Sequence, residues 1–340
     1  MLRAMAERTL EVFLDTVNAC NLKCVTCAFS DPRVAALPKY TMPWELYEKV
    51  ARQVFPQAEY LTLSCLTEPL MNPKFARYLR FAGEFEVPRM EFVTNAQLLR
   101  DEHLQACVDA RLWRIAISLD GGDAISYETV RRGASWDRLL VNTAHAQDFF
   151  ARAPHQPILR VIITLVQDNF RSAVEAVRRA LQWGAGEVEL RETLTFPGIG
   201  LQARQLKHHG DELRSVLLEC KALCDAAAVS VLILSENAPG LKVDLSGVPP
   251  CHALERRVAI AANGDVMPCM LWAREPLGNL RDSSFDQVWN GSWRARLRDQ
   301  FRRERPLLWC PTCTICKDDP ADDDAYFRLL AKPRPLGPFA

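Results

Sequence analysis

The sequence predicts an α/β protein: an open or partial barrel of six strand–helix units, followed by a small α+β domain. From the start of the chain to about residue 235, short apolar or β-branched runs alternate with longer helical patterns, which is typical of parallel strand–helix units. Farther on, two apolar runs flank Asn263-Gly264-Asp265, and Asn-Gly between such runs is a strong hairpin signal. A chain of 340 residues is also long enough for two domains.

Each predicted barrel unit consists of one short apolar strand and one longer amphipathic helix. The predicted strands span residues 11–17, 60–64, 90–94, 113–119, 158–166 and 187–191. The predicted helices span residues 43–54, 75–82, 101–110, 136–151 and 171–183, and a later helix at 211–228 precedes an apolar run at 229–234. Six such units fit a partial (β/α)6 barrel of the TIM type.

The remaining chain divides at stretches rich in turn residues. Residues 236–250 contain an Ala-Pro-Gly turn and two consecutive prolines, which predicts a linker between a barrel at 1–235 and a second domain at 251–320. In the second domain we expect hairpin strands at 258–262 and 266–271 and a helix at 284–301. Residues 321–340 hold three consecutive aspartates and three prolines, so we expect a poorly structured tail.

Composition excludes several classes of function. Apolar residues make up 49% of the chain and charged residues 25%, as in an ordinary globular protein. Lys+Arg and Asp+Glu both number 42, so no net charge favours nucleic acid or an anionic membrane as partner. No apolar run is long enough to span a bilayer, and Glu11 and Asp15 interrupt the first apolar stretch, which excludes a secretion signal. We therefore expect a cytoplasmic protein.

The chain contains twelve cysteines, more than an ordinary enzyme of this length needs. In a reducing compartment, clustered thiols more often bind metal than form disulfides. One group lies near the start of the chain and another near its end, which predicts two metal centres. The remaining four are Cys65, Cys107, Cys220 and Cys224, and we expect the last three to be packed in the core.

The first group, Cys20-x3-Cys24-x2-Cys27, directly follows the first predicted strand. In a strand–helix barrel that position lies on the catalytic face. Zinc would need a fourth ligand, and residues 28–64 contain neither His nor Cys. Three thiolates instead suit a 4Fe–4S cluster with one iron left open for a small chelating molecule.

This spacing resembles the defining motif of the radical S-adenosylmethionine (SAM) superfamily. The resemblance implies that the three cysteines bind a 4Fe–4S cluster and that SAM chelates its open iron. It extends to Glu68, in the segment from residue 64 to 73, which takes the place of the acid that accepts a hydrogen bond from the SAM amino group. Further residues that the resemblance assigns to SAM binding are Asn95, Ser118, Asp120 and Arg160.

These four residues lie in segments that resemble later motifs of the superfamily. Asn95 belongs to Thr-Asn-Ala after the third strand, and Ser118 and Asp120 belong to Ser-Leu-Asp-Gly after the fourth, near the ribose or the carboxylate. Arg160 takes the place of a basic residue near the methionine carboxylate. Structural alternatives remain: Glu68 as a surface acid, Ser118 and Asp120 as helix caps, and Arg160 as an ion-pair partner.

The sequence departs from the superfamily pattern at four positions. Leu66 and Thr67 stand where glycines usually precede Glu68, and Ala96 replaces another glycine. Glycine at such positions permits a positive φ or close backbone approach. Thr26 stands where an aromatic residue often precedes the third cysteine, so this side chain offers no ring to stack on adenine and only its backbone is available.

The second group of cysteines resembles the SPASM and twitch extensions of some radical SAM enzymes. Cys251-x12-Gly264-x4-Cys269 matches their opening motif, and the hairpin brings its two thiols together. Five thiols suffice for one four-thiolate auxiliary 4Fe–4S cluster, which favours the twitch form, as in an aminocyclitol dehydrogenase. The candidate ligands are Cys251, Cys269, Cys310 and Cys313, with Cys316 as a substitute. A structural zinc ribbon is the alternative.

Membership of this superfamily implies reductive cleavage of SAM to a 5′-deoxyadenosyl radical, which abstracts a hydrogen atom from the substrate. An auxiliary cluster that accepts an electron from the substrate favours net oxidation, for which Arg191 or Glu192 is the candidate base. An epimerase would instead need a hydrogen-donating thiol, for which Cys65 is the candidate. The reductant expected is a flavodoxin or ferredoxin.

Only nineteen residues precede Cys20, which leaves no room for an N-terminal peptide-recognition domain. We therefore expect a small-molecule substrate, such as a sugar or aminocyclitol in natural product biosynthesis. Two alternatives stay open: a maturase of a ribosomally made peptide, whose substrate would be a short peptide, and a non-catalytic iron–sulfur electron carrier.

Overall fold

The computed structural model describes residues 8–64, 66–192, 206, 208–235, 254–270 and 275–303. The strands are β1 Leu10–Leu14, β2 Ala58–Thr62, β3 Arg89–Thr94, β4 Arg114–Ser118, β5 Ile158–Leu165, β6 Glu187–Glu192, β7 Ser230–Leu234, β8 Arg257–Ile260, β9 Asp265–Met267 and β10 Gly278–Asn279. They form one sheet in the order β10-β9-β8-β1-β2-β3-β4-β5-β6-β7. Strands β1 to β7 are parallel to their neighbours, as the predicted strand–helix units require.

Helices α1 to α8 lie in the connections between the parallel strands, and α9 and α10 follow β10. They are α1 Pro32–Ala35, α2 Trp44–Val54, α3 Phe75–Gly83, α4 Asp101–Asp109, α5 Ala124–Val130, α6 Trp136–Ala151, α7 Ala173–Gln182, α8 Gly210–Ala226, α9 Phe285–Trp289 and α10 Ser292–Arg303. The predicted α/β barrel is therefore confirmed, and β7 adds a seventh parallel strand at the apolar run noted at 229–234. The predicted helix at 284–301 is wrong as one element, since α9 ends before Gly291 and α10 begins after it.

The two faces of the sheet differ in polarity because side chains alternate along each strand. On β4, Ile115 and Ile117 belong to the apolar clusters that also contain helix residues. The opposite face carries charged side chains, and Arg114 there pairs with Glu91 (Nε–Oε2 2.5 Å) and with Glu187. Helices therefore cover one face of the sheet, while the other face holds a network of ion pairs.

The C-terminal hairpin continues the same sheet. Strand β8 pairs in parallel with β1, with Val12 opposite Val258. Glu11 strengthens this junction by accepting hydrogen bonds from Arg256 and Arg257, each at 2.9 Å. β8 and β9 then form the predicted antiparallel hairpin. The linker at 236–250 and the tail at 321–340 lie outside the described residues, and the division of the chain into domains stays a prediction.

The helices of the described part do not include one that is both long and apolar enough to cross a bilayer. Cys107, Cys220 and Cys224 are fully buried in the apolar clusters, which confirms the prediction that they are packing residues.

Candidate cofactor site

The segment from Cys20 to Cys27, here called the cluster loop, follows β1 and is held by backbone hydrogen bonds. The Lys23 N–H donates to the Arg132 carbonyl and the Val25 N–H to the Val130 carbonyl, both at 2.9 Å. The partners of the loop therefore lie at the C-terminal end of α5. A loop fixed by backbone bonds presents its side chains in a reproducible geometry, as a site for a cofactor requires.

The three thiols of the cluster loop are buried or half-buried. Burial raises the pKa of Cys24 to about 12, and it raises the pKa values of Cys20 and Cys27 as well. Without a metal these thiols therefore stay protonated near neutral pH, whereas metal coordination replaces the proton. The Leu22 N–H already donates to Cys20 Sγ at 3.4 Å, as it would to a thiolate.

The donor set fits an iron–sulfur cluster better than a single ion. Within the part of the chain that the structure describes, no three His, Cys, Asp or Glu side chains converge on one metal ion. Zinc would require its sulfur ligands about 2.3 Å from one point. A cubane binds each thiolate through a different iron, so thiols on one loop can be spaced farther apart.

Glu68 lies after β2 and is only 3% exposed. Its Oε2 accepts a hydrogen bond from the Asn95 N–H (2.8 Å), and its Oε1 accepts from Thr94 Oγ1 (2.7 Å) and from the Leu70 N–H (3.2 Å). Its own N–H donates to the carbonyl of Ala19, which precedes Cys20 (3.1 Å). The structure therefore brings Glu68 to the start of the cluster loop, and the alternative of a surface acid is wrong.

The ionisation of Glu68 is finely balanced. Burial raises its pKa to about 7, although the hydrogen bonds from Asn95, Thr94 and Leu70 and the charge of Arg131 act in the opposite direction. Near neutral pH a small change in surroundings therefore changes its charge. A positively charged ammonium group nearby would favour the carboxylate.

Asn95 connects Glu68 to the cluster loop. Its Nδ2 donates to Asn21 Oδ1 at 2.9 Å and lies 4.0 Å from Cys20 Sγ. The next residue, Ala96, has a φ of 58°, in the left-handed region that favours glycine. The alanine thus adopts the conformation for which the related proteins use glycine.

Asp120 follows β4 and pairs with Arg131, whose neighbours Val130 and Arg132 hold the cluster loop. Its Oδ1 accepts from the Thr164 N–H at 2.7 Å, and its Oδ2 lies 2.9 Å from a terminal nitrogen of Arg131. Asp123, not Asp120 or Ser118, caps α5 by accepting from the Ser126 N–H. The helix-cap alternative for Asp120 and Ser118 is therefore wrong, and both are buried at the end of β4.

Gly121 completes the Ser-Leu-Asp-Gly segment for a steric reason. A Cβ atom at this position would lie 2.3 Å from the Tyr127 nitrogen, closer than any side chain permits. The glycine therefore allows α5 to pack directly against the end of β4.

Arg160 lies in the ion-pair network of the sheet. It pairs with Glu189 and lies 4.0 Å from Glu91. Among the described residues, no hydrogen bond joins it to Glu68 or Asn95. Its position agrees with the ion-pair alternative, and its role near the methionine carboxylate stays a prediction.

Arg191 and Glu192 end β6 as predicted. The Nη1 atom of Arg191 lies 3.4 Å from Glu189 Oε1, and Glu192 accepts a hydrogen bond from the Ser235 hydroxyl. Cys269 follows β9 and is half-buried. The other predicted site cysteines lie outside the described residues: Cys65, Cys251, Cys310, Cys313 and Cys316.

Arg131 is the site residue that the sequence analysis missed. It is 9% exposed, forms the ion pair with Asp120, and lies between the two residues that hold the cluster loop. No motif marks it in the sequence. The available signal is its place at the end of a short helix whose start is marked by the Asp123-x2-Ser126 capping box.

A pocket lies between the β8–β9 hairpin and the segments that flank the cluster loop, which contribute Val17, Asn18 and Phe29. Asp15, Tyr40 and Thr67 line its polar side, and Met267 and Met270 line its apolar side. Asp15 Oδ1 accepts from Thr67 Oγ1 at 2.7 Å. The pocket thus lies between the regions that carry the two groups of cysteines.

Comparison with known families agrees with this geometry. Residues 14–182 match the radical SAM superfamily, and residues 251–317 match the SPASM iron–sulfur cluster-binding domain. The chain belongs to the radical SAM superfamily and carries a SPASM domain. Its cofactors are accordingly SAM, the 4Fe–4S cluster that binds SAM, and an auxiliary iron–sulfur cluster in the SPASM domain.

Solved structures share the fold of this radical SAM enzyme. SuiB from Streptococcus suis bound to S-adenosylmethionine has a TM-score of 0.67 at 15% identity, covering 92% of this chain and 72% of SuiB. SuiB bound to the precursor peptide SuiA has a TM-score of 0.69 at 13% identity, and the match covers 92% of this chain and 76% of SuiB. Native anSMEcpe with bound AdoMet and Cp18Cys peptide has a TM-score of 0.64 at 14% identity, and the match covers 93% of each chain. No curated protein sequence matches this chain significantly.

Proposed function

We propose that this radical SAM enzyme is an oxidoreductase that removes a hydrogen atom from a small polar metabolite, such as a sugar or an aminocyclitol. The observation that carries the proposal is the buried Glu68–Asn95 pair, hydrogen-bonded to both sides of the Cys20 position. When bound, the cluster and SAM together supply a 5′-deoxyadenosyl radical as the hydrogen-abstracting agent. The protein has to supply binding, orientation and exclusion of water.

The residues around the cluster loop divide this work. Cys20, Cys24 and Cys27 would hold the cluster. Glu68 would accept a hydrogen bond from the SAM amino group, since its carboxylate is buried and already oriented by three donors. Asn95, Ser118 and Asp120 would contact the remaining polar groups of SAM.

Oxidation rather than rearrangement is supported by the hairpin that carries Cys269. β8 pairs with β1, the strand that leads into the cluster loop, so an auxiliary cluster on the SPASM hairpin would lie on the same side of the sheet junction as the proposed site of hydrogen abstraction. Cys251, Cys269, Cys310 and Cys313, with Cys316 as a substitute, would hold one auxiliary cluster that accepts an electron. Of the two candidate bases, Glu192 is chemically suitable, because an arginine does not lose its proton in proteins.

Peptide oxidation is the second candidate. The same fold accommodates a peptide in SuiB bound to SuiA and in anSMEcpe bound to Cp18Cys. The carboxylate of Asp15 and the hydroxyl of Thr67 in the pocket support the metabolite, because such groups form hydrogen bonds with the hydroxyl and amino groups of a sugar or an aminocyclitol. Offering the reconstituted enzyme amino sugars and aminocyclitols in parallel with short peptides distinguishes the two by which of them stimulates 5′-deoxyadenosine formation.

The radical chemistry itself is tested with a matched pair of variants. Cys24→Ala should abolish 5′-deoxyadenosine formation from SAM and dithionite, because it removes a cluster ligand. Cys107→Ala removes a thiol that is also buried but belongs to the apolar core, and it should retain the activity. If the reconstituted wild-type protein forms no 5′-deoxyadenosine, the proposed radical chemistry is wrong, whereas its formation excludes the electron carrier.

Two further measurements divide the alternatives. Anaerobically purified protein should contain iron for two cubanes, and about one zinc per chain with iron for only one cubane would indicate a zinc ribbon. Product two hydrogens lighter than the substrate supports oxidation. A product of unchanged mass whose formation stops in Cys65→Ala would support the epimerase.

A further inference from the structure

Arg131 places a buried positive charge behind the cluster loop. It is the residue that ends α5, and its N–H donates to the Tyr127 carbonyl at 2.8 Å. Its neighbours Val130 and Arg132 accept the backbone hydrogen bonds of Val25 and Lys23. The backbone of Arg131 is therefore held between the two backbone contacts that fix the cluster loop.

The surroundings of this guanidinium group are unusual for an arginine. It is 9% exposed, and its partner is Asp120, with 2.9 Å between Nη2 and Oδ2. Within the described residues, its buried Nε has no hydrogen-bond partner. The ion pair with Asp120 thus engages one terminal nitrogen of the buried guanidinium group and leaves its Nε–H without an acceptor among the described residues.

The charge of Arg131 acts on the thiols. It opposes the rise that burial causes in the pKa values of Cys24 and Cys27, while the thiolates of Cys20 and Cys24 favour the charged guanidinium in return. Burial opposes the charged form of Arg131, but Asp120 and the thiols outweigh it and raise its pKa above the ordinary value. Arg131 is therefore a permanent cation beside three cluster ligands.

We propose that Arg131 is a positioning residue that sets the reduction potential of the SAM-binding cluster, and that Asp120 attenuates its effect. Reduction adds a negative charge to a site that already contains three thiolates, so a fixed cation in a buried environment favours the reduced state. This inference rests on the proposed function, in which Cys20, Cys24 and Cys27 hold that cluster.

The experiment compares variants of the reconstituted full-length protein by a redox titration followed with electron paramagnetic resonance, without SAM. The signal that changes when SAM is added afterwards identifies the relevant cluster. The variants are Arg131→Met, which removes the charge, Arg131→Lys, which keeps it, and Asp120→Asn, which removes the counter-charge. Arg171→Met is the control, since Arg171 pairs with Glu212 on the exposed surface.

The variants should move the potential in opposite directions. Arg131→Met should reduce the ratio of reduced to oxidised cluster about tenfold at a fixed potential, which corresponds to a midpoint about 59 mV lower for one electron. Asp120→Asn should raise the midpoint. Arg131→Lys should stay close to wild type, and Arg171→Met should not differ from it.

An unchanged midpoint in Arg131→Met overturns the inference, as does a shift in Arg131→Lys equal to that in Arg131→Met. If Arg131→Met assembles no SAM-responsive cluster but Arg131→Lys does, the charge is required and the inference is supported. If neither assembles one, the arginine acts through its shape and the inference is wrong. A wild-type protein without a SAM-responsive signal would refute the proposed function itself, a distinguishable result.

Discussion

Glu68 is the residue whose environment has the most direct consequence for pH dependence. Its carboxyl group is enclosed by the protein, and its pKa of about 7 lies above the ordinary value of 4.5. Because the folded state binds this proton more tightly than the unfolded state, the contribution of Glu68 to stability is complete below pH 4.5. That contribution is lost as the pH rises through about 7.

The first prediction follows from this linkage. Between pH 4.5 and pH 8, wild type without cofactors should lose about 3 kcal/mol of stability relative to Glu68→Gln, because glutamine does not titrate. Urea unfolding of both proteins across this range measures the difference, in which all other titrating groups cancel. A difference that stays constant with pH would contradict the raised pKa.

A second prediction concerns Ala96. Ala96→Gly should change the free energy of unfolding by less than about 0.5 kcal/mol, because relief of the left-handed conformation offsets the lost methyl group and the added backbone freedom. Ala106, equally buried but inside α4, is the control. Ala106→Gly should lower the free energy of unfolding by about 2 kcal/mol, because the lost methyl group and the added backbone freedom are both unfavourable there. Equal costs at the two positions would contradict the strain at Ala96.

At the residue scale, the sequence was most informative where chemistry fixes the residue type. The spacing of Cys20, Cys24 and Cys27 and the resemblance at Glu68 and Asn95 anticipated residues that the structure brings together. Arg131 could not be anticipated in the same way, because its role depends on burial and on the approach of two backbone segments. An arginine at the end of a helix usually keeps its charged group in solvent.

At the scale of elements, the turn between β4 and α5 controls the site. Asp120 ends the strand, Gly121 permits close packing, and α5 carries Arg131 back to the cluster loop. The seven residues of α5 are too few to show helical periodicity, so the sequence did not predict this helix. By contrast, α6 was predicted with its observed bounds, since sixteen residues with the Ser135 cap give a clear pattern.

A third prediction tests this turn. Gly121→Ala should destabilise the protein by about 3 kcal/mol, because its Cβ would overlap the backbone of α5. It should also reduce the iron retained by the protein, since α5 holds the cluster loop. Gly186→Ala is the control, because its Cβ would meet only the Ile158 side chain at 3.2 Å. If both variants are equally stable, the close packing of α5 is not required.

At the scale of the whole molecule, one sheet joins the barrel strands to the SPASM hairpin. The sequence indicated the hairpin at Asn263-Gly264 but not its partner. Pairing between β8 and β1 joins segments about 245 residues apart, and no local pattern records such a register. Glu11 and Arg257 form an ion pair across this junction, and only the structure shows that they are partners.

A fourth prediction follows at this scale. A chain cut after residue 250 should lose at least about 3 kcal/mol relative to one cut after residue 320, because it loses the buried side chains of Val258 and Ile260. The shorter chain should also aggregate, since the edge of β1 becomes exposed. Thermal unfolding and the soluble fraction of both chains, compared without cofactors, measure these effects. Equal stability would show that the barrel does not depend on the hairpin.

The β8–β1 ladder also constrains how such enzymes can be re-engineered. A SPASM region is not an interchangeable cassette here, because its first strand shares hydrogen bonds with the strand that leads into the cluster loop. A chimera that imports a foreign β8 without its matching β1 would alter the register at that junction, and with it the spacing between the two redox regions. Transplants should therefore exchange both strands together.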